Sequence, residues 1–137
     1  MSPFSGIIYF DGNRPSSSDK YFLKRGINVH KEIKFDEVNS KRFFLLQGSF
    51  QRSYNPKKIH IDNQNDMYIL FNGRIDNREE LKKLLKIEKY NITDDVLFLK
   101  LYLLFGENAL LKIYGSFSIL IFDTKQNEIK CYQDHIG

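Results

Sequence analysis

The stretch Ile69-Leu70-Phe71-Asn72-Gly73-Arg74-Ile75-Asp76-Asn77-Arg78-Glu79-Glu80 constrains the fold more than any other. It reads as a buried strand, a tight turn and a helix start. Met67, Ile69 and Phe71 face one side and Tyr68 and Leu70 the other, so both faces are expected to be covered. Asn72-Gly73 is a turn pair whose glycine permits a positive φ. Asn77, three residues before Glu80, resembles a capping box with Asn in the cap role. Glu79 and Glu80 then lie where the helix dipole favours acids. A polar turn at the end of a buried strand is where many folds place their chemistry. A plain strand-to-helix connection would produce the same pattern.

A chain of 137 residues is expected to form one domain with a two-layer core. Twelve Phe and eight Tyr can fill that core although Trp is absent. The net charge of +4 comes from lysines dispersed among acids, the pattern of a solvated surface rather than a nucleic-acid face. The single cysteine, Cys131, excludes an intrachain disulfide framework and a cysteine-based zinc site. His30, His60 and His135 lie far apart without ligand spacing, so no metal is expected. No apolar run approaches the roughly 18 residues of a membrane span. Asp11 and Arg14 follow the first apolar run too closely for a signal peptide. A cytoplasmic, soluble domain is expected.

Along the chain, residues 6 to 10 form a short apolar run closed by Asp11-Gly12, which suggests a hairpin or a sharp exit. Residues 12 to 20 read as loop, and 19 to 25 as a short helix. Between Gly26 and Lys41 the pattern fits strand or loop. Arg42 to Leu46 is an apolar strand, and Gly48 to Lys58 is polar with a turn at Asn55-Pro56. His60 lies between Ile59 and Ile61 in a short alternating strand. A helix is expected from about Arg78 to Lys86, with Leu81, Leu84 and Leu85 on its apolar side. Thr93 is an N-cap candidate for a second helix, supported by Asp94 and Asp95. That helix would place Leu97, Leu101 and Leu104 on one stripe, with Phe98 and Phe105 beside it, and end at Gly106. A shorter helix over 107 to 113, a central strand over 116 to 122 and a returning strand over 129 to 133 complete the chain. Strands followed by helices and a closing hairpin indicate an α+β fold.

The residues resemble the N-terminal glutamine amidotransferase domain of the asparagine synthetase family, a class II amidotransferase with the Ntn-hydrolase fold. Met1-Ser2-Pro3-Phe4-Ser5-Gly6-Ile7 falls in register with the family's Met-Cys-Gly-Ile-x-Gly-Ile. Phe71-Asn72-Gly73-Arg74-Ile75-Asp76-Asn77 resembles Phe-Asn-Gly-Glu-Ile-Tyr-Asn. Thr93-Asp94-Asp95 resembles a Ser-Asp-x before a long helix. Gly106-Glu107-Asn108-Ala109-Leu110, Gly115-Ser116-Phe117-Ser118 and Asp134-His135-Ile136-Gly137 match the closing landmarks. The resemblance implies an αββα sandwich of antiparallel sheets over residues 1–137, as a fragment of a longer synthetase or the product of a truncated gene.

It also implies a chemistry. Removal of Met1 leaves residue 2 at the N-terminus, where its side chain attacks the glutamine amide and its α-amine serves as base. The Asn and Gly of the Asn-Gly pair hold the oxyanion. An Arg after an earlier strand, the Glu after Asn-Gly and the Asp before the long helix bind glutamine's charged end. Here Asn72 and Gly73 match the oxyanion pair and Asp94 the ammonium-binding Asp. The nucleophilic Cys is replaced by Ser2, the Glu by Arg74, and the Arg aligns with Ser49; Arg52 or Arg25 could substitute. A hydroxyl is harder to activate than a thiol, and Arg74 would repel an ammonium group. Arg74 is instead expected to pair with Asp94.

β-Lactam synthetases and lasso-peptide cyclases resemble this chain in lacking the Cys, and use the domain as a scaffold beside a C-terminal domain that adenylates a carboxylate. The Ile75-Asp76-Asn77-Arg78-Glu79-Glu80-Leu81 stretch is similar to that branch. The first expectation is therefore an amidotransferase-like domain without glutaminase activity, scaffolding an ATP-dependent amide-forming enzyme. Its partner would be a C-terminal ATP-pyrophosphatase synthetase domain, with ATP and magnesium needed only there and no cofactor here. Glutamine or a peptide is the candidate ligand, a homodimer remains open, and neither nucleic acid nor membrane is expected as a partner. The alternative is an active glutaminase with Ser2 as nucleophile. A third reading is an unrelated α+β binding domain.

Overall fold

A computed structural model of the chain describes residues 2–28, 33–50, 56–88 and 91–134. In chain order the elements are β1 (Phe4–Ile8), α1 (Ser17–Ile27), β2 (Ile33–Asn39), β3 (Phe43–Phe50), β4 (His60–Asp62) and β5 (Met67–Ile75). There follow α2 (Arg78–Leu84), α3 (Asp94–Phe105), a 3-10 helix (Gly106–Lys112), β6 (Gly115–Asp123) and β7 (Glu128–Gln133). The strands form two antiparallel sheets, a three-stranded one in the order β1-β3-β2 and a four-stranded one in the order β4-β5-β6-β7.

Strand β5 shows why the layers stack. Its alternation sends Leu70 toward Phe43 and Leu45 of β3 and Phe122 of β6, between the sheets. Ile69 and Phe71 point the other way, onto Leu97, Phe98 and Leu101 of α3. All three β5 side chains are fully buried, and each contributes roughly 1.5–3 kcal/mol by leaving water. Helix α1 covers the outer face of the smaller sheet, where the ammonium groups of Lys20 and Lys24 lie 5.6 and 5.8 Å from the Phe44 ring. The order is helix, sheet, sheet, helix, the α+β sandwich of antiparallel sheets expected from the sequence. Among the described residues no helix is long and apolar enough to cross a membrane.

Several local readings change. Asn72-Gly73 is not a turn: β5 continues through it to Ile75, paired with Ser118 and Phe117. Its glycine answers a close approach. Gly73 has φ 142°, and a Cβ there would stand 2.2 Å from the Ser116 carbonyl oxygen. Gly115, opposite Ile75, has φ 154° and would put a Cβ 2.0 Å from the Arg74 oxygen. Two glycines thus let the end of β5 and the start of β6 press together. Asp11-Gly12 leads not to a hairpin but to α1, which Ser16 and Asp19 start with a reciprocal capping box. Asn77 occupies the N-cap position of α2 without a side-chain cap bond. Its amide instead donates to the Lys112 oxygen at 2.9 Å and accepts from Tyr114 N at 2.9 Å, tying α2 to the segment before β6.

Strand β3 runs on to Phe50, into the stretch expected to be polar loop, and the ambiguous segment before it contains β2. The buried face of α3 is Leu97, Phe98, Leu101 and Tyr102, with Phe105 packed against the same core; Leu104 lies off that face and is 63% exposed. Leu84 is likewise exposed, while Leu81 and Leu85 face the core. The helix expected over 107 to 113 is 3-10 in form. Asn55, Arg52 and the closing His135-Ile136-Gly137 lie outside the described residues.

Candidate functional site

The N-terminal segment crosses the end of β5 beside β3. Ser2 N donates to Asn72 Oδ1 at 2.8 Å. The Ser2 carbonyl accepts from Gln47 Nε2 at 2.8 Å, and the Pro3 carbonyl accepts from Gly48 N at 2.7 Å. Gln47 is fully buried in β3, where its amide fixes the N-terminal segment. Because Asn72 Oδ1 faces the Ser2 nitrogen, the planar amide turns its Nδ2 the other way, as a donor. Ser2, Asn72, Gly73, Arg74, Ser116, Ser118 and Asp134 line an open pocket of about 430 Å³, with Phe117 in its wall. Asp134 closes that wall: its carboxylate accepts from Phe117 N at 2.6 Å, and its own N–H bonds the Phe117 oxygen at 3.1 Å. An α-amine at the Ser2 nitrogen would stand beside the hydroxyl of its own residue, so one residue could act as nucleophile and base.

Four residues singled out from the sequence therefore meet in one pocket: Ser2, Asn72, Gly73 and Arg74. The other two do not join them. Asp94, at the start of α3, accepts from Ile75 N at 3.2 Å and pairs with Arg78. Ser49 is 3% exposed, and its hydroxyl accepts from Lys57 N at 2.7 Å and donates to Lys57 O at 3.2 Å. The expected Arg74–Asp94 pair does not form. Arg74 is turned to solvent, its side chain 74% exposed, and it holds Asp76 at 2.6 Å, while the closer Arg78 takes Asp94. Arg25 lies exposed on α1, outside the pocket lining.

A second polar cluster lies on the helix side of the larger sheet. Asp95, 3% exposed, bonds His60 Nε2 at 2.8 Å and Lys57 Nζ at 3.3 Å. The Lys57 ammonium also stands 5.2 Å from the Phe71 ring centre. Burial pushes the Asp95 carboxyl up, but hydrogen bonds from His60 and Thr93 and the Lys57 charge outweigh it and hold the group well below the usual carboxylate range. This cluster fixes the start of α3 to β4 and to the segment before it. The alternation around His60 is visible in the sequence, but its partner Asp95 is not. Gln47 was not among the expected site residues, although a glutamine closing the apolar run Phe43 to Leu46 is a legible signal. Among the described residues no cluster could hold a metal ion.

The family model for a glutamine amidotransferase domain matches residues 52–137. The chain belongs to that family. It is similar over 72 residues, at 36% identity, to the Methanocaldococcus jannaschii protein named "Putative asparagine synthetase (glutamine-hydrolyzing) 2". That match takes in 53% of this chain and 14% of the relative. The fold is similar to that of the glutamine phosphoribosylpyrophosphate amidotransferase from B. subtilis, complexed with ADP and GMP. The TM-score is 0.51 at 16% identity, over 96% of this chain and 31% of that one. This amidotransferase domain thus spans a minor part of the length of the proteins it matches.

Proposed function

We propose that this amidotransferase domain does not hydrolyse glutamine and serves as a scaffold within an asparagine-synthetase-type, ATP-dependent amide-forming enzyme. The observation that carries the reading is the state of the recognition positions. Asp94 is held by Arg78 and Ile75 N, and Ser49 is buried against the Lys57 backbone. Neither offers a charge to the zwitterionic end of glutamine. Arg74 brings a cation where an ammonium group would lie, and Ser2 replaces a thiol by a hydroxyl. Loss of the Cys supports a place in the branch that includes β-lactam synthetases and lasso-peptide cyclases. On this reading a cytoplasmic C-terminal synthetase domain supplies the ATP and magnesium chemistry.

One observation favours a second reading. The Ser2–Asn72 contact keeps nucleophile and oxyanion positions together, as an active glutaminase with a serine nucleophile would need. Ammonia and glutamate release from glutamine separates the two, with Met1 removal verified by mass spectrometry. The scaffold reading expects none from the native chain or from Ser2→Cys. Turnover by the native chain that disappears in Ser2→Ala would establish the glutaminase. Turnover in Ser2→Cys alone would mean that the pocket still recognises glutamine and only the nucleophile has gone.

A further inference from the structure

Helix α3 is apolar on more sides than the fold covers. After its first turn the one charged residue is Lys100. Leu97, Phe98, Leu101 and Tyr102 are buried against the sheet, yet Leu103 and Leu104 are 51% and 63% exposed. A helix apolar all round is normally buried all round. Beside these leucines lies a shallow trough of three neighbouring depressions, of about 340, 370 and 380 Å³, that share Ile87 in their linings. Its apolar floor is completed by Leu85 and Val96.

The rim of the trough is basic. Lys83, Lys86 and Lys100 are exposed there and form no ion pair with any described residue. Of the acids on the rim, Glu79 is taken by Lys82 at 3.0 Å, which leaves Glu88 facing three lysines. Two copies joined face to face here would set lysines against lysines, which disfavours self-association.

We propose that this trough docks an amphipathic helix of a partner protein, one whose leucine-like stripe is flanked by carboxylates. Leu103 and Leu104 would anchor the stripe, and Lys83, Lys86 and Lys100 would meet the acids. The surface lies on the helix side of the larger sheet, so docking does not depend on chemistry at Ser2.

The test is fluorescence anisotropy on the full chain with a synthetic amphipathic peptide of about 20 residues bearing leucines flanked by glutamates. A control peptide replaces the glutamates by lysines. Expected is saturable binding of the acidic peptide, at least about tenfold tighter than the control and weakened by salt. The variants Lys83→Glu/Lys86→Glu/Lys100→Glu and Leu103→Ser/Leu104→Ser should each lose about tenfold or more in affinity while keeping the circular dichroism of the parent. Three results would overturn the proposal. One is no binding by the unmodified chain. Another is equal binding of both peptides. The third is a dimer in sedimentation that Leu103→Ser/Leu104→Ser dissolves, which would make a second copy the occupant.

Discussion

The two sides expected of the candidate site are held in different ways. On one side Ser2, Asn72 and Gly73 stand together around an open pocket. On the other, Asp94 and Ser49 are engaged inside the protein, and Arg74 points to solvent. The first side is set by backbone. Gly73 and Gly115 are required by strands in close approach, and Gln47 ties down the N-terminal segment. The second side is set by side-chain pairing, Asp94 with Arg78 and Ser49 with the Lys57 backbone, and such partners can change without disturbing the sheets. If the domain is the non-hydrolysing scaffold proposed above, catalytic geometry outlasts recognition there because the fold itself demands the geometry.

The largest expected effect tests whether the first side is structural. Gly73→Ala should destabilise the chain by more than about 2 kcal/mol in urea denaturation, because its Cβ meets backbone rather than a yielding side chain. An unchanged midpoint would mean that Gly73 persists for chemistry alone.

Next comes the anchor of α3. Asp95→Asn should cost roughly 2–4 kcal/mol at neutral pH, since it leaves Lys57 and His60 facing a neutral amide in a buried site. The Asp95 carboxyl is depressed in the folded chain, so its contribution is full above the unfolded value of about 4. It fades as pH falls below that toward the folded value. The gap between parent and variant should therefore narrow in acid, and a gap that widens there would contradict the assignment.

A smaller effect separates structure from recognition at Ser49. Ser49→Ala should lose about 1–2 kcal/mol, because the Lys57 N–H is left without its acceptor. A variant as stable as the parent would return Ser49 to the list of ligand-binding candidates. Smallest is Arg74→Glu, which restores the family's acid at an exposed position. No measurable change in melting temperature is expected, and no glutamine turnover, because Asp94 and Ser49 remain engaged. Turnover restored by this one change would place recognition in a single residue.

Much of this was legible in the sequence, for reasons that differ from element to element. The unbroken apolar run Met67 to Phe71 announced a strand buried on both faces, because odd and even positions alike are apolar. Asn72-Gly73 was misread because a glycine that allows a turn and one that allows close packing look the same without the neighbouring strand. In α3 the stripe was placed correctly through Leu101, then diverged at Leu104, because the buried face continues through Tyr102 and Phe105 instead. Ser2, Asn72, Gly73 and Arg74 line one pocket because the sheets bring the N-terminal segment to the end of β5. The partners of Asp94, Ser49 and Arg74 depend on long-range side-chain geometry that local pattern does not carry. Arg78, at the start of α2, pairs with Asp94 instead.

The most direct test is equilibrium binding of glutamine by titration calorimetry, using the Met1-processed Ser2→Ala chain so that turnover cannot interfere. The account predicts no saturable heat at millimolar glutamine. A saturable isotherm with one site per chain would contradict it, because the pocket would then recognise glutamine without Asp94 or Ser49 in the roles the family gives them.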